Sequence, residues 1–205
     1  MNDWQIRTSF HHKCLRKYHC DSSTLIVDEL GLRHGKCRAD IAVINGHLIG
    51  YEIKSEVDSL RRLNTQIDSY NAVFDRVSAI VAECHLEETI TMIPKWWGII
   101  SVSEGQRGAM YFKTIRRSKQ NTHVDDCAVA QLLWRNEAQE ILANLGIGGK
   151  QLRERRANLY EYLTSSLNSS DLRRIVRKYL MKRTNWRHPV LLSLCGDSSQ
   201  PNAML

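Results

Sequence analysis

Between residues 57 and 75 apolar side chains return at alternating steps of three and four: Leu60, Leu63, Ile67, Tyr70 and Phe74. That spacing lines one face of a helix, so the segment is predicted helical. From 38 to 55 the rhythm drops to two, in RADIAVINGHLIGYEIKS. Asn45-Gly46 divides this stretch and suits a two-residue type I′ turn, so it reads as a hairpin. Side chains alternate along a strand. Asp40, Ala42 and Ile44 therefore share one face of the first strand. Leu48, Gly50, Glu52 and Lys54 share one face of the second, and a turn at 45–46 places Asp40 opposite Tyr51.

The remaining elements follow from the same two periods. Residues 3–20 read as a helix with Trp4, Phe10, Leu15 and Tyr18 inward. Residues 23–30 fit a short helix capped by Ser22 or Ser23 better than a strand, because Leu25, Ile26 and Leu30 fit an i, i+4 face. Strands are expected at 77–83, 97–104 and 110–116, with a helix over 85–93 ended by Pro94. The order is helix, hairpin, helix, strand, helix, strand, strand, an α/β sheet with helices packed on it. From about 125 to 185 the pattern is helical throughout. Its apolar faces are Leu132, Leu133, Ile141, Leu142 and Leu145; then Leu159, Tyr162 and Leu163; then Leu172, Ile175, Val176, Tyr179 and Leu180. The expected division is an α/β domain over 1–118, a basic helical region over 119–195 and a flexible tail over 196–205.

Composition adds little to the fold and more to the partner. Apolar residues make up 42% of the 205, enough for a real core. The N-terminal run MNDWQIRTSFHHK lacks the apolar stretch of a secretory signal, and no segment approaches the roughly 20 apolar residues of a membrane span. A cytoplasmic protein with no membrane partner is expected. The cysteines at 14, 20, 37, 84, 127 and 195 show no framework spacing, so they read as reduced thiols, several of them buried. The net charge of +7 is uneven. Residues 1–112 hold 13 Lys+Arg against 14 Asp+Glu, whereas 113–188 hold 16 against 7. A surplus in one segment points to a polyanion, of which nucleic acid is the commonest. Arg153, Arg155, Arg156, Arg173, Arg174, Arg177 and Lys178 are its candidates for phosphate contact, with Arg61 and Arg62 on the earlier helix. The competing reading for all of them is a solvated helix face.

The hairpin carries the chemistry. Glu52 and Lys54 lie about 6.6 Å apart along one strand face, with Asp40 on the neighbouring strand. Two adjacent carboxylates repel unless one keeps a proton or a cation sits between them. Oxygen ligands alone favour Mg²⁺ or Mn²⁺. A lysine beside them can stabilise developing negative charge or orient a water, which together supplies the parts for phosphodiester hydrolysis. On a strand such charges are more often simply a solvated face.

The surrounding residues change that balance. Asp40 followed by Glu52-Ile53-Lys54 resembles the signature of the PD-(D/E)XK nuclease superfamily, with Ala39 in place of its proline. Gln66 and Tyr70 look like the Q-x-x-x-Y pattern of its RecB-like branch. The run from Arg38 to Trp97, with GYEIKSE, DSLRRL and PKWWG, resembles a family of small bacterial proteins within that superfamily. The resemblance covers roughly residues 25–112 and is weaker over the basic helices. It implies a restriction-endonuclease-like mixed sheet flanked by helices, with an α-helical C-terminal extension. It implies a nuclease that cleaves with metal-activated water, favours DNA and leaves a 5′-phosphate. Asp40 and Glu52, with the Ile53 carbonyl, would be metal ligands for Mg²⁺ or Mn²⁺. Lys54 would position or activate water. Glu29, in the upstream helical segment, would be a further acidic contact, and Gln66 would hold the site or touch the backbone. Tyr70 stays open between that role and the core.

Other clusters weigh less. His11, His12, Cys14, His19 and Cys20 invite zinc, but no CxxC pair is present and a helix scatters them. Trp96 and Trp97 could stack on bases, with packing favoured; His85 could reach substrate, with a capping or exposed role favoured. The alternatives to a nuclease are a non-catalytic nucleic-acid-binding module and a protein-interaction component of a mobile-element or defence system. A protein partner or homo-oligomer is open in every case.

Overall fold

The computed structural model describes residues 1–183 and residue 186. Its elements run in the order α1 (Asp3–Lys13), α2 (Arg16–His19), β1 (Leu25–Leu32), β2 (Cys37–Ile44), β3 (Leu48–Lys54), α3 (Leu63–Val73), β4 (Arg76–Ala82), α4 (Leu86–Met92), β5 (Gly98–Glu104), β6 (Met110–Arg116), α5 (Asp126–Ala130), α6 (Arg135–Asn144), α7 (Arg156–Ser166) and α8 (Ser169–Lys182). The tail over 196–205, Cys195 and the end of the 119–195 region lie outside the described residues.

The six strands form one mixed sheet in chain order. β1, β2 and β3 are an antiparallel meander. β3, β4 and β5 are parallel, and β6 returns antiparallel. Parallel neighbours need crossovers, and α3 and α4 supply them. Helices cover both faces. On one, Ile6 and Phe10 of α1 pack on Ile26, Ile41, Val43 and Ile53. On the other, a larger apolar cluster joins α3 and α5–α8 to Val27, Ala42, Ile44 and Leu48. The expected stripe of α3 is the buried one: Leu60, Leu63, Ile67, Tyr70 and Phe74 are all at most 8% exposed. Gly50 of β3 lies directly under it. A Cβ there would come within 2.8 Å of the Phe74 ring, so no larger residue lets α3 settle this close.

Several expectations fail for identifiable reasons. Residues 23–30 are not a helix. Ser23 and Thr24 hydrogen-bond the Asp21 carboxylate and close a turn, and Leu25–Leu32 then extend as β1. A short apolar run buried on both sides carries no period to separate the two states. The 3–20 helix breaks after Lys13, and Trp4 is 70% exposed, because Ile6 and Phe10 are the pair that meets the sheet. The hairpin turn holds three residues, not two. Ile44 pairs with Leu48, Asn45 donates to the His47 carbonyl and Gly46 takes φ 88°. None of the five described cysteines is buried, and none is in a disulfide. In the C-terminal helices Leu145 is exposed, and Tyr160 is buried in place of the expected Tyr162. No helix among the described residues is long and apolar enough to cross a membrane.

Candidate active site

The three-residue turn moves the β2–β3 register by one. Ile41 faces Tyr51 and Ala42 faces Gly50. A one-residue slip exchanges the faces of a strand. The observed register therefore sets Asp40 on the same face as Glu52, beyond the last pair of the ladder, where the turn expected from Asn45-Gly46 would have opposed them. Past Ile41↔Tyr51 the strands part, and their freed backbone groups find side chains. The Asp40 carboxylate accepts the Ile53 N–H at 2.6 Å. The Tyr70 hydroxyl enters from α3, accepts the Asp40 N–H at 3.1 Å and donates to Glu52 Oε2 at 2.5 Å. Tyr70 is thus both core and part of the site.

Glu52 is fully buried and Lys54 is 6% exposed. Lys54 Nζ donates to Glu52 Oε1 at 2.6 Å and to Gln66 Oε1 at 3.0 Å. Asp40, Glu52, Ile53, Lys54 and Gln66 line one cavity of about 750 Å³. Burial, and then the charge of Glu52, push the Asp40 carboxyl up to about 8, against the pull of the Ile53 N–H and Arg7. Burial and the same carboxylates hold the Tyr70 hydroxyl well above its ordinary range. Tyr70 stays a neutral donor.

Arg7 is not visible as a site residue in the sequence. From α1 its guanidinium reaches Asp3 at 3.0 Å, Glu29 at 2.9 Å and Asp40 at 3.5 Å, and it also donates to the Asp40 carbonyl. Burial works to lower its pKa, but Asp3, Asp40 and Asp28 together hold it above its usual range. The only sequence signal is Asp3 four residues before Arg7, which reads as an ordinary surface helix pair. Glu29 lies on β1, not on a helix, with φ 55°. That left-handed residue inverts the alternation, so Val27 and Leu30 both face the α3 side. Glu29 stands at the cavity rim between Arg7 and Arg38, the latter at 3.0 Å.

The basic candidates are not gathered in one place. Arg62 lines the cavity, and Arg61 is exposed beside it on a single 3₁₀ turn. Arg153, Arg155 and Arg156 are exposed, before and at the start of α7. Arg173 pairs with Asp126 at 2.8 Å and Arg174 with Asp171 at 2.6 Å. Arg177 is half-buried, which lowers its pKa, and Lys178 is exposed. The His/Cys run forms a hydrogen-bonded chain: His11 Nδ1 is 2.9 Å from His19 Nε2, and His11 Nε2 is 2.9 Å from Asp28. Cys14, Cys20 and His12 are exposed. Trp97 is buried and donates to Asn71, and Trp96 is half-buried against it.

Among the described residues no group of three or more His, Cys, Asp and Glu is assembled for a metal. Asp40 and Glu52 with the Ile53 carbonyl remain. Such a sparse oxygen set fits Mg²⁺, which keeps several of its waters and takes few protein ligands. Burial is the larger cause of the raised Asp40 pKa, and the repulsion from Glu52 that adds to it is a cost that a cation removes.

The profile of a family described as bacteriophage P4 protein cII matches residues 7–204. Protein cII of Enterobacteria phage P4 is 26% identical over 155 residues, which is 76% of this chain and 58% of that protein. The chain thus spans less than two thirds of the length of the curated relative. No solved structure matches.

Proposed function

The chain belongs to the bacteriophage P4 protein cII family, and for this member we propose a metal-dependent nuclease of PD-(D/E)XK type acting on nucleic acid, DNA first. The observation that carries the reading is the meeting of Asp40, Glu52, Lys54 and Gln66 in one cavity, from two strands and α3. The order helix, three-strand meander, crossover helix and parallel strand supports the restriction-endonuclease-like assignment of the sheet.

Asp40, Glu52 and the Ile53 carbonyl would hold Mg²⁺ or Mn²⁺, which would polarise the phosphoryl oxygen and lower the pKa of a water. The protein's own groups do the rest. Tyr70 fixes the orientation of Glu52, and the Ile53 N–H fixes that of Asp40. Lys54, steered by Gln66, presents an ammonium to the charge that develops at phosphorus. Arg7 neutralises the acidic rim, so that a phosphate is not repelled before it reaches the floor.

One arrangement favours a second reading, a binding module without cleavage. Both Glu52 oxygens are already engaged, and Arg7 already offsets the carboxylates. Incubation of plasmid and single-stranded circular DNA with Mg²⁺ or Mn²⁺ separates the two. Cleavage that is lost in Lys54→Met and Asp40→Asn supports the nuclease. Metal-independent, salt-sensitive binding that survives both substitutions, with no cleavage of DNA or RNA by the wild type, supports the module.

A further inference from the structure

The charge distribution along the sequence points to a polyanion surface on the C-terminal helices. The fold also gathers exposed cations at the cavity. Arg33 and Lys36, from the turn between β1 and β2, and Arg38, at the start of β2, line the cavity together with Arg62. They stand above a floor that carries two carboxylates. A phosphodiester approaching that floor finds Lys54 and Arg7 already paired with Glu52, Glu29 and Asp40, so its attraction has to come from the walls.

The turn is held in shape. Arg33, His34 and Gly35 are three consecutive left-handed residues, at φ 47°, 57° and 82°. Two of them carry side chains, and such a backbone persists only where its surroundings hold it. Two holds are visible. Arg33 donates to the Asp68 carbonyl of α3 at 3.4 Å. The His34 ring stacks on Tyr160 of α7, with centroids 5.5 Å apart and planes 26° off parallel. Tyr160 is itself buried, and its hydroxyl is fixed on the Leu133 carbonyl at 3.0 Å. Burial, then the charges of Arg156 and Lys36, lower the pKa of His34, so Arg156 lies near the stacked ring.

We propose that the β1–β2 turn is the phosphate-binding lip of the cavity, and that α7 holds it in place through Tyr160. A sugar–phosphate backbone is then tracked by Arg62, Arg33 and Lys36 toward Arg156. The assignment rests on the reading of the cavity as a phosphodiester site. It also gives the C-terminal helices a different task from the one their charge suggests. Arg173 and Arg174 are tied to Asp126 and Asp171, and the region contributes by buttressing the lip.

The test is anisotropy of fluorescein-labelled DNA of about 20 nucleotides, single-stranded and duplex, in EDTA over a range of salt. Lys36→Ala/Arg62→Ala should weaken binding of both forms about tenfold and flatten the log–log salt dependence by about 1.5. Arg174→Ala/Lys178→Ala removes the same charge and should change affinity by less than about twofold. Tyr160→Leu should weaken binding while Tyr160→Phe, which keeps the ring, should not. His34→Ala, at an exposed position, removes the stack from the other side and should weaken binding as Tyr160→Leu does. The lip is overturned if its double variant binds like the wild type, if the α8 double loses as much, or if the loss depends on base sequence. Binding in EDTA needs no cleavage, so the two readings fail separately. Lip-dependent binding by a protein that cuts nothing sinks the nuclease alone. Cutting that ignores the lip sinks this proposal alone.

Discussion

At the floor of the cavity, Lys54 holds Glu52 at 2.6 Å where almost no water reaches. On α8, Arg174 holds Asp171 at the same 2.6 Å, with both side chains largely in solvent. Distance alone makes them equal, and the surroundings separate them. In water two charges a few ångströms apart are worth little, and removing one partner leaves the other hydrated. Inside the fold neither charge has water to return to, so the pair stands or falls together. The net +9 of the C-terminal segment, 16 basic against 7 acidic residues over 113–188, is thus less consequential than one lysine at the end of β3.

That contrast can be broken by measurement. The largest effect is expected from Lys54→Met. It leaves Glu52 buried without its ammonium and should cost about 3 kcal/mol in chemical denaturation, as breaking buried pairs does. A loss under about 1 kcal/mol would mean that water enters the floor freely. Next comes Asp40→Asn. A carboxyl whose folded pKa is raised from 3.8 to about 8 loses stability as pH climbs through that window, because the fold disfavours its charged form. The metal-free wild type should therefore fall in Tm relative to Asp40→Asn as pH rises from about 4 to about 8. Mn²⁺ should restore it in the wild type only. Equal pH profiles would show that neither burial nor Glu52 raises the Asp40 pKa. Tyr70→Phe should cost about 1–3 kcal/mol, because it strands the Asp40 N–H and one Glu52 oxygen in the interior. The smallest change is expected from Arg174→Ala, within about 0.5 kcal/mol and smaller still at high salt. A larger loss there would erase the distinction between the two regions.

Legibility in the sequence follows the same division between local and distant causes. The stripe of α3 and the alternation of β2 and β3 are local patterns, and Leu60 through Phe74 are buried as their spacing predicts. Asp40, Glu52, Lys54 and Gln66 stand out because their spacing resembles a known signature, and they line one cavity. β1 escapes a periodic reading because Leu25, Ile26 and Val27 are buried together, which leaves no period to read. Arg7 escapes because its partners Glu29 and Asp40 lie 22 and 33 residues away. The lip is hidden for a related reason. Arg33, Lys36 and Arg38 belong to a segment with no net positive charge. Their gathering at the mouth of the cavity exists only after β1 and β2 pair and α7 arrives.

The small turn at Asn45–His47 bears on how this gene can change. Surface loops usually absorb insertions and deletions at little cost. Here a single codon gained or lost between Ile44 and Leu48 alters odd and even matching between the two strands that carry Asp40 and Glu52. Such an indel would turn one strand's buried residues to the other face and part the acidic pair to opposite sides of the sheet. Lineages that keep the chemistry should keep the parity of this loop.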